Sequence, residues 1–67
     1  MIQIMIDPQK FKEIRESKGM TTRALAKEAS VSTETINAIE HGRRQPQVRT
    51  LDKLARALDV EVKDFFS

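Results

Sequence analysis

Hydrophobic residues in this chain recur three and four places apart, the spacing of one face of an α-helix, and capping residues interrupt the recurrence where helices would begin. Phe11 and Ile14 share a face in a segment from about Pro8 to Lys18, which Gly19 closes. Leu25 and Ala29 do the same in a second segment, with small Ala26 beside them. A third, Thr33 to His41, sets Ile36 and Ile39 inward with Glu40 flanking. From about Val48 to Leu58, residues Val48, Leu51, Leu54, Ala55 and Leu58 form one core stripe. Val62 to Phe66 makes a last short helix that brings Phe65 and Phe66 to the core or to a subunit contact. The pattern therefore predicts five helices and an all-α fold.

Capping chemistry fixes where these helices begin. Asp7, Thr21 and Ser32 each carry a short side-chain oxygen able to accept from the free N–H groups of a first helical turn, and Pro8 suits the turn after Asp7. Each start also has an apolar residue before the cap and another four places into the helix: Ile6 with Phe11, Met20 with Leu25, and Val31 with Ile36. Gln47 is an indifferent cap for the fourth helix. The second and third starts stand eleven residues apart, Thr21 to Ser32, with only Ser30-Val31 as linker. That is too short for antiparallel packing, and Ala26 and Ala29 permit a close crossing, so the stretch from Thr21 to Gly42 predicts a helix-turn-helix corner.

Ahead of the helices the period changes. Ile2, Ile4 and Ile6 alternate with Gln3 and Met5, as in a strand, until Asp7-Pro8 ends the run. A lone strand in a helical domain needs a partner, so residues 1–7 are read as an arm that pairs with the same arm of a second subunit. A frayed tail, a strand packed on its own domain, and synthesis starting at Met5 stay open. The helix-turn-helix domain is assigned to residues 8–67.

The ordered set Gly19-Met20-Thr21, Leu25-Ala26, Val31-Ser32, Ile36, Glu40, Gly42, Pro46, Leu51, Leu54-Ala55, Ala57-Leu58 and Val60 resembles the lambda-repressor and Cro-like helix-turn-helix DNA-binding domains, the XRE family. The resemblance covers about residues 8 to 66. It implies a compact five-helix domain whose third helix enters the major groove, with base contacts mostly at Ser32, Thr33, Glu34 and Ala38 and with Asn37 near the groove. It also implies that Arg15 pairs with Glu40, tying the first helix to the reading helix, and that the loop of Arg43 and Arg44 contacts phosphate. Two positions depart from the family. Thr22 stands where Gln commonly touches a phosphate, and Ser30 stands at the turn position commonly held by Gly, so it has to adopt a left-handed backbone there.

The residue types support the same surface. With Ile36 and Ile39 inward, Thr33, Glu34, Asn37, Ala38 and His41 face outward. Asn37 suits a bidentate contact with adenine, Glu34 accepts from cytosine, and Thr33 or Ala38 meets a thymine methyl. Against these stand plainer roles: Glu34 favours the helix dipole, Ser32 is a cap, and His41 is a C-terminal dipole partner or phosphate neighbour. Thr22, Arg23, His41, Arg43 and Arg44 are the candidate phosphate contacts.

Charge refines this picture only through its distribution. The 67 residues hold 12 Lys and Arg against 10 Asp and Glu, a net charge of +2. Glu28 to Gly42 has no Lys or Arg, while basic residues lie on both sides of it, as phosphate clamping around a reading helix requires. Without cysteine, with one histidine, and without a glycine-rich phosphate loop or an acidic metal cluster, an enzyme is not expected, nor any metal or cofactor. No apolar run spans a bilayer, and a cytoplasmic location is expected. The sequence thus predicts a DNA-binding transcriptional regulator, a repressor acting as a homodimer on an inverted repeat of double-stranded DNA. The competing reading is an antitoxin-like or adaptor protein that works through a protein partner.

Overall fold

In the computed structural model, residues 6–66 are described. Four α-helices follow one another: α1 (Pro8–Ser17), α2 (Thr22–Ala29), α3 (Thr33–Glu40) and α4 (Val48–Leu58). The expected fifth helix is a single 3-10 turn, Val62–Phe65. Asp64 closes that turn by donating its N–H to Glu61 O at 2.9 Å while its carboxylate accepts from Glu61 N–H at 3.0 Å. Among the described residues there is no strand, and the alternating run at residues 1–5 lies outside them.

The caps form as their chemistry requires. Asp7 accepts from the N–H groups of Gln9 and Lys10, Thr21 from Ala24, and Ser32 from Thr35. Gln47 makes no side-chain cap bond, so the first N–H groups of α4 have no side-chain partner. Helices α2 and α4 both end on a left-handed residue that is not glycine, Ser30 at φ 58° and Asp59 at φ 57°. Each is held by a closing bond, Val31 N–H to Ala26 O at 3.0 Å and Val60 N–H to Ala55 O at 2.9 Å. The Ser30 turn sets the direction in which α3 leaves α2.

Phe11, Leu25, Ile36, Ile39, Leu54, Leu58 and Phe65 are fully buried and join all four helices to the terminal turn. Phe65 meets Phe11 edge to face, with ring centroids 5.1 Å apart, so the last turn is pinned to α1. Ala26 and Ala29 are buried on α2, the helix that packs against both α3 and α4. Phe66 is half-buried against this core.

Two expectations are corrected here. Val48 is not part of the core stripe of α4: it is 79% exposed, because the first turn of the helix projects beyond its neighbours and burial begins at Leu51. Ile6 and Asp7 are not arm residues. Ile6 is buried in the core cluster, its N–H donates to Gln45 Oε1 at 3.2 Å, and Asp7 N–H donates to Phe65 O at 3.0 Å.

Candidate nucleic-acid interface

The site is built on α3, whose inward residues Ile36 and Ile39 are completely buried and leave its other side to solvent. Thr33 and Glu34 are exposed and Asn37 is half-buried. Glu34 lies in the first turn, where its carboxylate is favoured by the helix dipole whether or not it reads a base. Asn37 uses only its main-chain carbonyl internally, accepting from His41 Nδ1 at 2.7 Å. A carbonyl can only accept, so Nδ1 carries the proton and Nε2 is left to the surroundings, where it donates to a phosphate only from the doubly protonated ring.

Ser32 does more than cap. Its Oγ accepts from Thr35 N–H at 3.1 Å and lies 2.8 Å from Thr35 Oγ1. When the Thr35 hydroxyl donates to Ser32, the Ser32 proton is free to point away from the helix toward a ligand. Thr35 was not among the predicted site residues, although its place three residues after the Ser32 cap was a signal for this pairing.

Ala38 does not face out as a reader. It is 6% exposed, and its carbonyl accepts Arg43 N–H at 2.8 Å where the chain doubles back past Gly42. Gly42 makes that reversal at φ 70°, a region glycine enters at little cost.

Arg15 and Glu40 hold α3 from behind. Arg15 Nε donates to Glu40 Oε2 at 2.6 Å and Nη2 to Oε1 at 3.1 Å, a two-pronged pair whose side chains are 10% and 7% exposed. Arg15 Nη1 also donates to Met20 O at 2.7 Å, so one guanidinium joins α1, the chain leading into α2, and the end of α3. The bond to Glu40 raises the Arg15 pKa against the lowering effect of burial, so the arginine stays charged.

Cationic residues flank α3. Arg23 near the start of α2 and Arg43 and Arg44 after α3 are exposed, and among the described residues none of the three forms an ion pair. Thr22 is half-buried in the first turn of α2. An open cleft of about 460 Å³ brings Arg44 together with Ser32 and Thr35 at the start of α3 and with Gln47 and Thr50 at the start of α4. The structure thus gathers Ser32 and Arg44 around one opening. It assigns Arg15 and Glu40 to the frame.

A helix-turn-helix family model, HTH_3, matches residues 11–65. The chain belongs to the HTH_3 helix-turn-helix family. Among HTH_3 relatives, an HTH-type transcriptional regulator of Archaeoglobus fulgidus is 37% identical over 57 residues, covering 85% of this chain and 81% of that protein. One from Methanocaldococcus jannaschii is also 37% identical over 57 residues, covering 85% and 86%. Among solved structures, the restriction-modification controller protein C.AhdI from Aeromonas hydrophila aligns with a TM-score of 0.85 at 30% identity, covering 88% of this chain and 89% of its own. The biofilm master regulator SinR in complex with DNA aligns at 0.82 with 30% identity, covering 87% and 97%. The HTH_3 protein described here is a transcriptional regulator with a helix-turn-helix DNA-binding domain. No helix among its described residues is long and apolar enough to cross a membrane.

Proposed function

We propose that the protein is a repressor that binds an inverted repeat in double-stranded DNA as a homodimer, with α3 of each subunit in the major groove. The observation that carries this reading is the make-up of α3 and its flanks. Thr33, Glu34 and Asn37 lie on its accessible side, and Arg23, Arg43 and Arg44, which form no ion pair among the described residues, precede and follow it. Ser32, Thr33, Glu34 and Asn37 read base edges, while Thr22, Arg23, His41, Arg43 and Arg44 hold phosphates. Support comes from SinR, whose DNA-bound structure this fold matches.

Two-fold dimers of this docking class place their reading helices about one helical turn of DNA apart, which makes an inverted repeat the natural target. Selection from a random duplex pool tests this directly. Enrichment of an inverted repeat with half-site centres about 10 base pairs apart is the expected result. Recovery of single half-sites would remove the dimer, and salt-sensitive retention without any enriched sequence would remove base reading.

A protein partner is the second reading, favoured by the match to SinR in its complex with SinI, at a TM-score of 0.81 and 30% identity. The arginine loop separates the two. Replacing Arg43 and Arg44 by Ala should weaken binding to every DNA sequence and reduce the salt slope by about 1 per lost phosphate contact. A protein working only through a partner has no such slope to lose.

A further inference from the structure

The loop from Arg43 to Gln47 belongs to no helix and is anchored mainly at its ends. Arg43 N–H is fixed to Ala38 O at 2.8 Å, and Gln47 O accepts from Leu51 N–H at 2.9 Å. Between these points, among the described residues, one hydrogen bond ties the loop to a distant part of the chain. Gln45 Oε1 accepts the N–H of Ile6, 39 positions away, at 3.2 Å. The main chain that Gln45 grips is itself held. Ile6 is 3% exposed, Asp7 N–H is bonded to Phe65 O at 3.0 Å, and the Pro8 ring lies 3.7 Å from where a side chain on Gly42 would begin. Residues 6–8 therefore back both the start of the loop, at Gly42, and its middle, at Gln45.

We propose that Gln45 is a positioning residue for DNA binding: its side-chain oxygen latches the arginine loop to the Ile6 main chain, and it reads no base. This rests on the assignment of Arg43 and Arg44 to phosphates. Two long, exposed cations on a free loop would spread over many conformations, and each would have to be ordered when DNA arrives. A latch in the middle of the loop removes part of that ordering before binding. Because the latch touches no nucleotide, its effect falls on all DNA sequences alike.

Two variants test it: Gln45→Leu removes the acceptor at similar size, and Gln45→Glu keeps an acceptor for Ile6 N–H. In the free protein, Gln45→Leu is expected to speed amide exchange at Ile6 about tenfold and to raise the mobility of Arg43 and Arg44 in nitrogen-15 relaxation, whereas Gln45→Glu preserves both. In duplex titrations across salt concentrations, Gln45→Leu is expected to weaken every sequence by about five- to tenfold with little change in salt slope, because the phosphate contacts are still made once the loop is ordered. The latch is overturned by unchanged exchange and relaxation, by a loosened loop with undiminished affinity, or by a loss confined to one base pair. The joint replacement of Arg43 and Arg44 by Ala separates the two ideas. If it binds DNA like the parent, the phosphate assignment has failed; if it weakens binding while Gln45→Leu does not, only the latch has failed.

Discussion

Asn37 and Arg15 illustrate how differently two polar side chains on this framework behave. Among the described residues the Asn37 side-chain amide has no hydrogen-bond partner that its replacement would strand; the contact to His41 uses the main-chain carbonyl, which any residue supplies. Asn37→Ala is therefore expected to leave the melting temperature within about two degrees of the parent while weakening the preferred duplex by about 1–3 kcal/mol. A large loss of stability in thermal unfolding would remove Asn37 from the reading face. Arg15 has the opposite profile. Arg15→Ala leaves the buried Glu40 carboxylate without its partner and Met20 O without a donor, and is expected to cost about 3 kcal/mol in chemical denaturation. A domain of this size has only a few times that amount in total. Replacing Arg15 and Glu40 together by Met and Leu should recover most of the loss, because the charge left stranded by the single change is gone. Since the folded-state pKa of Arg15 is raised, its contribution is complete below the unfolded value and fades only at strongly alkaline pH, so these measurements do not depend on the buffer chosen near neutrality.

The helices themselves were largely legible because their causes are local. Asp7, Thr21 and Ser32 cap the elements their spacing predicted, and the left-handed backbone that the family resemblance implied for Ser30 is present. Sequence periodicity was a weaker guide to burial. It put Val48 in a core stripe and Ala38 on a reading face, because spacing identifies a helical face and does not say how far a neighbouring element extends over it. Nor did any local signal mark Gln45, whose partner Ile6 is brought to it only by the tertiary fold. Two element-scale predictions concern helix ends. Ser30→Gly relieves a left-handed serine and should stabilise the domain by about 0.5–1 kcal/mol in chemical denaturation. At the start of α4, Gln47→Asp supplies the missing side-chain cap and should raise the melting temperature, yet it sets a carboxylate in the cleft shared with Arg44 and should weaken DNA binding. Gln47→Ser should give the cap without that electrostatic penalty, and the pair of variants separates capping from charge.

At the scale of the whole molecule, a chain this short can barely offset its own conformational entropy, and one small core must serve as both support and scaffold. The structure meets this by giving α3 both tasks. The helix proposed to read DNA supplies Ile36 and Ile39 to the core and is braced by Arg15 through Glu40, so orientation of the reader and stability of the fold are inseparable. The bond from Asp7 N–H to Phe65 O, with the Phe11 and Phe65 rings in contact, has a separate consequence. It brings the beginning and the end of the folded unit to one spot, leaving the path between them nearly a closed ring. A short glycine and serine bridge between residues 66 and 6 would complete that ring, and the chain could then be opened elsewhere, in a surface turn, as a circular permutant with the same core. By the same geometry, whatever is attached directly at residue 6 and at residue 66 departs from a single corner of the folded unit, so two such attachments compete for the same space.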